Sequence, residues 1–357
     1  MSLAQWFPTA SGALRLFSTR WGQATAKTLH DVDTEHTNSL HDSAILRGSF
    51  TIGRAMQSSG GNTTTATFFA MGGRASMNKF TVVHLSDIQL TPATQAGESP
   101  TPGPLATILA DLTTHDLDPD LIVISGDLFQ NGAPTDYQWL RTYLHRQSHR
   151  LGVPIQVVLG DQDDRTAFNA GYLQRTVPYY AYKQVYQNMD FYFLDSKWRS
   201  RRTAGWLGRD QLDWLNKNLH LAPRRRAFLF LHHPLDAPSL RDMRYTLLQN
   251  NRELLAILHG HNIGGIYAGH VEFAANYLVD NGLPVTVVGG AANYVDCQDP
   301  HQHRVHSATS YNVIMIQRGV ASVTTRPLAF EPQVVRTIDV GNTGFAKHRP
   351  RLSQPYH

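Results

Sequence analysis

This chain of 357 residues has a single cysteine, Cys297. One thiol excludes an internal disulfide and a thiolate zinc cluster, and it permits a reducing compartment. No apolar run approaches the roughly 20 residues of a membrane span, so no membrane segment is expected. A surplus of one charge is also missing from the centre of the chain. Residues 77–330 carry 22 Lys/Arg and 22 Asp/Glu, so the net +4 belongs to the two ends. A neutral centre gives no electrostatic footprint for nucleic acid. The one tight basic run, Arg224-Arg225-Arg226, reads as a solvated loop between a helix and a strand.

Residues 1–76 lack a persistent helical or strand period. They are rich in Ser, Thr, Gly and Ala, as in Ser58-Ser59-Gly60-Gly61-Asn62, and read as poorly ordered. Two explanations compete. The first thirty residues contain no acid, and Leu14-Arg15-Leu16-Phe17-Ser18-Thr19-Arg20 has the flavour of an organelle transit peptide. Alternatively the start is assigned too early, since Met77 directly precedes the first strand. The second is favoured and goes with a cytoplasmic location; the first would make the protein organellar. Residues 331–357 carry little pattern and read as a tail. The expected globular domain is therefore 77–330.

From Phe80 onward apolar runs of strand length alternate with helical periods. Thr81–Leu85, Leu121–Ile124, Ile155–Leu159, Phe191–Leu194, Phe228–Leu231 and Ile266–Ala268 read as strands. Leu105–Leu112 reads as a helix, and Thr135 with Gln138 predicts a capping box for a second one, stopped by Gly152 and Pro154. Leu212, Leu215 and Leu219 line a third, and Leu254, Leu255 and Leu258 a fourth. Val285–Val288, Tyr311–Ile316 and Ala321–Thr325 add strands near the end. Alternation in the first half predicts a largely parallel sheet, and the strand-only end predicts a second sheet packed on it.

Five of these strands run straight into a potential ligand. The segments are Asp87-Ile88-Gln89, Gly126-Asp127, Gly160-Asp161-Gln162-Asp163, His232-His233-Pro234 and Gly269-His270-Val271-Glu272. In open α/β sheets, ligands bind beyond the carboxyl ends of the strands. One aspartate after a strand is an ordinary turn residue; five strand-end carboxylates and imidazoles together point to a metal site. Other polar residues have plainer readings. His84 is expected as a hydrogen-bonded core histidine, and His301, His303 and His306 as a polar surface loop. His259 and His261 are expected to face a helix dipole, and Tyr179, Tyr180, Tyr182, Tyr186, Phe191 and Tyr192 to pack in the core.

In order and spacing these segments resemble the calcineurin-like metallophosphoesterases. Leu194-Asp195-Ser196, Gly205 and Gln211-Leu212-Asp213-Trp214-Leu215 are similar to a linker of their class III cyclic-nucleotide phosphodiesterase branch. The resemblance covers about residues 79–317. It implies a four-layer α/β sandwich, with two mixed β-sheets flanked by helices. It also implies a phosphoesterase that hydrolyses phosphodiesters, 3',5'-cyclic nucleotides among them, through a metal-bridging hydroxide. Carried over by position, Asp87, Gln89, Asp127 and Glu272 would surround one metal. Asp127 would bridge to a second, held by Asp161, His232 and His270. His233 is the less expected ligand of its pair. Gln162 takes the place of the family's histidine beside the phosphate, and Asp163 would fix the neighbouring backbone or the residue at 162.

Departures from the family pattern remove three imidazoles, at Gln89, Gln162 and Glu272, and turn an amide into an acid at Asp161. The four carboxylates Asp87, Asp127, Asp161 and Glu272 formally balance two divalent cations. Oxygen-rich ligation favours Mn²⁺, Mg²⁺ or Fe²⁺ over Zn²⁺. The expected substrate is a small phosphodiester or nucleotide, with no nucleic-acid or membrane partner and a homo-oligomer left open. The alternative is a catalytically impaired relative that binds metal or nucleotide and acts as an interaction protein.

Overall fold

A computed structural model describes residues 79–93, 98–198, 203–237, 240, 247–280, 282–296, 302–307, 309–328 and 333–339. The expectations for residues 1–76, for Cys297 and for His301 lie outside these residues. Among the described residues, no helix is long and apolar enough to cross a membrane.

The first sheet is built on β1 (Lys79–Leu85), β2 (Leu121–Ile124) and β3 (Ile155–Val157). All three run parallel, with Leu85 opposite Ile124 and Ile124 opposite Val157. Their carboxyl ends are therefore level. Between them lie α1 (Gly103–Thr114) and α2 (Pro134–Leu151). After the short helix α3 (Arg165–Phe168) comes β4 (Tyr182–Tyr186), which hairpins onto β5 (Met189–Phe193). The helix α4 (Arg209–Leu221), β6 (Arg226–Phe230), α5 (Asn251–Leu258) and β7 (Ile263–Ala268) follow. The second sheet then closes with β8 (Ala275–Val279) and β9 (Leu283–Val287), in the order β4-β5-β6-β7-β9-β8. Strands β5, β6, β7 and β9 are parallel to their neighbours, and the two edges are antiparallel.

The chain returns to the first sheet through β12 (Ser310–Gln317) and β13 (Val320–Pro327), giving the order β13-β12-β1-β2-β3. Both large sheets are thus mixed, as the sequence predicts. A third, antiparallel sheet joins β10 (Tyr294–Asp296), β11 (Gln302–Ser307) and β14 (Gln333–Asp339).

Strand alternation explains how the two large sheets pack. In β6, Phe228 and Phe230 face the first sheet, while Ala227 and Leu229 face the helices. Accordingly the Phe80 ring of β1 meets Phe191 at a tilt with centroids 5.2 Å apart, and Phe191 in turn stacks on Phe228 at 5.3 Å. His84 meets the Phe230 ring edge-on at 5.4 Å. On the other face, Leu212, Leu215 and Leu219 of α4 and Leu254 and Leu258 of α5 bury against Tyr192, Leu229 and Ile266. Each such side chain, fully buried, contributes about 1.5–3 kcal/mol. The two layers of apolar contact fix the sheets firmly enough to support strained turns at their ends.

Several sequence expectations are corrected. The start of α2 is capped at Ala133, whose N–H donates to Asp136 Oδ2 at 2.7 Å, and not by Thr135 and Gln138. Pro134 at the first helical position shifts the cap back by two residues. His303 and His306 lie in β11, not in a surface loop. Polar residues outnumber apolar ones there, but His303 and Val305 are buried in alternation with exposed Gln302 and Arg304. Residues 333–339, expected in a tail, form β14 and pair with β11. Arg226 opens β6, and Arg225 donates to the buried Asp190 at 3.2 Å, so the basic run is only partly solvated. Of the aromatic stretch, Tyr180, Tyr182, Phe191 and Tyr192 are buried as expected, while Tyr179 and Tyr186 are half-buried.

Candidate metal centre

Five strand ends meet at one edge of the sandwich. Asp87 follows β1, Asp127 follows β2, Asp161 follows β3, His232 follows β6 and His270 follows β7. Their turns are sharp. Asp87, Gln89, Asp127, His270 and Glu272 all have positive φ, between 42° and 73°. That region is sparsely used by residues with a Cβ and costs on the order of 1–3 kcal/mol each. Five of the seven residues expected to hold metal share it, which marks the cluster as a place where geometry outranks backbone ease.

Glycine makes the crowding tolerable at two positions. Gly126 has φ 110°, and a Cβ there would lie 2.6 Å from His232 Nδ1. A Cβ on Gly160 would collide with the Asp127 carboxylate. Both positions admit only hydrogen because ligand side chains pass directly over them.

The polar contacts fall into two groups. In the first, His270 N donates to Asp87 Oδ2 at 3.0 Å, and Gln89 Nε2 donates to Glu272 Oε1 at 2.6 Å. Gln130 Nε2 donates to Gln89 Oε1 at 3.1 Å, so the Gln89 amide is held at both ends. In the second group, Asp161 Oδ1 lies 3.1 Å from His232 Nε2 and 3.0 Å from His270 Nδ1. Asp127 stands between the groups. Its Oδ1 lies 3.5 Å from His232 Nε2 and accepts from Gln162 N at 2.9 Å. Ligand atoms of Asp87, Asp127 and His232 lie within 4.8 Å of one another, as do those of Asp161, His232, His233 and His270.

These groups perturb one another's protonation. Burial pushes the Asp127 carboxyl well above its ordinary range; the His232 charge opposes this, and the charges of Asp161 and Asp87 add to it. For Asp161 burial also raises the pKa, but hydrogen bonds and charge from His232 and His270 win and hold it below the usual carboxylate range. Burial lowers His232, yet Asp127, Asp161 and Asp87 outweigh burial and raise it to about 10. Burial and the Asp87 charge raise Glu272 to about 7. Buried carboxylates at this density call for positive charge, of which protonated His232 and the Lys197 ammonium, which donates to Asp161 O at 2.6 Å, supply a part. The donor set of carboxylates and imidazoles fits divalent ions. The buried His233 Nε2, which has no hydrogen-bond partner, adds to that fit.

Two residues grouped with the chemistry behave differently from each other. Gln162 is half-buried, and its Nε2 donates to Asp161 Oδ2 at 2.8 Å, so its amide borders the cluster. Asp163 is fully buried and accepts from Leu128 N, Phe129 N, Gly160 N and the Tyr137 hydroxyl. It holds the 160–163 turn against the end of β2 and does not reach into the cluster. Tyr137, invisible to motif reading, is the helical anchor of that turn. His84 is buried, with Nε2 2.8 Å from Ser125 Oγ. His259 and His261 sit beyond α5, at the opposite end of β7 from His270.

A family model described as calcineurin-like phosphoesterase matches residues 80–271, more than half of the chain. The chain belongs to that family. It is 29% identical over 213 residues to a cAMP/cGMP dual specificity phosphodiesterase of Mycobacterium tuberculosis, an alignment covering 58% of this chain and 66% of the relative. It is likewise 29% identical over 165 residues to a probable glycerophosphodiester phosphodiesterase of Arcobacter nitrofigilis, covering 43% of this chain and 57% of that one. The chain thus spans somewhat less than two thirds of both relatives. Among solved structures, a dimetal phosphatase from Danio rerio aligns with a TM-score of 0.46 at 18% identity, over 69% of this chain and 98% of the other.

Proposed function

We propose that the protein is a metal-dependent phosphodiesterase acting on small phosphodiesters, with 3',5'-cyclic nucleotides as the first class to test. The observation that carries this reading is the convergence of Asp87, Asp127, Asp161, His232 and His270 from five strand ends, with Asp127 in reach of both ligand groups. The relatives' names add the substrate class: one is a cyclic-nucleotide enzyme and the other a glycerophosphodiester enzyme. Asp87, Gln89, Asp127 and Glu272 would hold one ion, and Asp161, His232 and His270 a second, with Asp127 shared. Bound divalent ions would polarise the phosphoryl oxygens and activate water at neutral pH.

The chain's own residues set the limits of that chemistry. His232 is oriented by its Nδ1, 2.8 Å from Ser125 O, which turns Nε2 toward Asp161 and Asp127. Gln162 can hydrogen-bond a phosphate oxygen from its place beside Asp161, but an amide cannot deliver a proton to the leaving group. Lacking such a donor costs on the order of 10²–10⁴ in rate, least for substrates whose leaving group needs no proton. The missing donor is expected to slow alkyl diesters, the 3',5'-cyclic nucleotides among them, more than diesters with activated leaving groups. The cytoplasm is the proposed compartment, in keeping with a single thiol.

The deciding experiment assays the purified chain on an activated phosphodiester with Mn²⁺, Mg²⁺, Fe²⁺ and Zn²⁺ in turn, beside Asp127→Ala. Turnover in the parent protein and none in the variant is expected. Equal, background-level rates with every metal would replace this reading with a binding or interaction role.

A further inference from the structure

His232 is expected to hold metal, but its neighbour His233 is the better explained by one. His233 is fully buried. Its Nδ1 lies 2.9 Å from Ser196 Oγ, and its Nε2 has no hydrogen-bond partner. A buried polar nitrogen left unpaired costs about 1–3 kcal/mol, and native proteins rarely keep one without a reason. Here the reason lies alongside. His233 offers a ligand atom within 4.8 Å of one from each of Asp161, His232 and His270. The three imidazoles crowd together, with ring centroids 4.5 Å (His233–His270) and 5.0 Å (His232–His233 and His232–His270) apart.

We infer that His233 is a metal ligand, the third imidazole of a nitrogen-rich locus with Asp161, His232 and His270, and that this locus takes a borderline transition ion such as Zn²⁺. The inference rests on the metal centre of the proposed function and changes its composition. The imidazoles missing at Gln89 and Glu272 deplete one locus, and His233 enriches the other. The two loci then differ in kind: Asp87, Gln89, Asp127 and Glu272 offer oxygen and suit a hard ion, while the second offers three nitrogens and one carboxylate.

The surroundings of His233 are built for this role. Metal-bound histidines usually donate their other ring N–H to an oxygen, which fixes ring and tautomer. Ser196 Oγ stands at that position for His233, as Ser125 O does for His232. With Nδ1–H donating to Ser196, the Nε2 lone pair is left for a cation. In the opposite tautomer the molecule would bury an N–H with no acceptor. Gly205 completes the seat, because a Cβ there would lie 2.6 Å from both Cβ and Cγ of His233. Ser196 and Gly205 belong to one local structure: Lys197 bridges Gly205, and Trp206 N donates to Ser196 O at 2.9 Å. Ser196 and Gly205 therefore hold the ring from two sides.

The test reads metal binding, not hydrolysis. Metal-stripped full-length protein is loaded with one equivalent of Zn²⁺, and the imidazole ligands are counted by X-ray absorption fine structure. Three imidazoles are expected; two would overturn the inference. In parallel, Co²⁺ is titrated by its visible absorption. His233→Ala should raise the Co²⁺ dissociation constant by about 10–100-fold or more, Ser196→Ala should move it in the same direction, and Lys217→Ala, on the exposed face of α4, should leave it unchanged. An unchanged constant in His233→Ala would also overturn the inference. Should that variant fail to fold, the imidazole count on the parent protein decides alone. Three imidazoles without hydrolysis would remove the proposed function and leave this inference standing. Failure to bind Zn²⁺ or Co²⁺ at all would overturn this inference alone, and turnover with Mn²⁺, Mg²⁺ or Fe²⁺ would leave the proposed function standing.

Discussion

The two sides of the metal centre hold their polar atoms in opposite ways. On the Gln89–Glu272 side, the side chains bind one another: the amide is clamped between Glu272 and Gln130, and little is left unsatisfied. On the Asp161–His270 side, two imidazoles contact one carboxylate, a third lies within 4.8 Å, and the buried His233 Nε2 has no hydrogen-bond partner. The first side satisfies its polar atoms internally; the second keeps a buried ring nitrogen that a cation would satisfy under the inference above. A site built of two unlike halves is expected to fill in order, the nitrogen-rich half first, and to lose its ions in the reverse order.

The strongest way to break this comparison is to remove the residue that belongs to both halves. Asp127→Ala should reduce phosphodiester turnover to the background rate while far-ultraviolet dichroism stays native. Retained turnover would mean that the halves work separately. Next in size is the scaffold beneath them. Asp163→Ala strands three backbone N–H groups and the Tyr137 hydroxyl, so chemical denaturation should show a loss of at least about 3 kcal/mol. A loss under 1 kcal/mol would show that the turn does not depend on that carboxylate.

Gln162→His then sharpens the chemical contrast. It should restore a proton donor and accelerate hydrolysis of poor-leaving-group diesters by about 10²-fold, with little change for activated ones. Equal gains on both substrate types would refute the assignment of Gln162. The last test concerns His84, beneath the site, and is silent at neutral pH. Burial lowers its pKa from 6.5 to about 3. The unfolded chain accepts this proton below pH 6.5 and the folded one does not. Its contribution to stability is therefore full above pH 6.5 and falls as pH drops from 6.5 toward 3, by about 1.4 kcal/mol per pH unit. His84→Gln should flatten that part of the stability–pH curve, as measured by urea titration at several pH values.

Much of this was readable in the chain, for a physical reason. Apolar strands such as Leu121–Ile124 are buried on both faces and stand out as uninterrupted runs, and the residue that ends each run faces the site by construction. That is why Asp127 and His232 could be placed before any coordinates. Strands with one wet face were harder. Gln302–Ser307 alternates polar with buried residues, two of them histidines, and histidine carries no apolar signal even when buried. The cap of α2 was missed because Asp136 acts from the third helical position while Thr135 presents a more familiar pattern. The seat around His233 was not legible, because sequence position cannot reveal that Ser196 and Gly205, nearly forty and thirty residues upstream, enclose one ring.

The left-handed turns tie metal affinity to the stability of the sheets. Asp87, Gln89, Asp127, His270 and Glu272 hold conformations that an untethered chain would leave, and the sheets to which they are joined keep them there. Metal affinity is then a property of the core as well as of the ligands. A cavity made under β1 or β7, touching no ligand, should let these turns relax and weaken the site; conversely, a bound ion should raise the melting temperature of strands it never meets. Affinity and foldedness in this protein would rise and fall together, so that any drift in the packing of Phe80, Phe191 and Phe228 is felt as a change in the ion the site can keep.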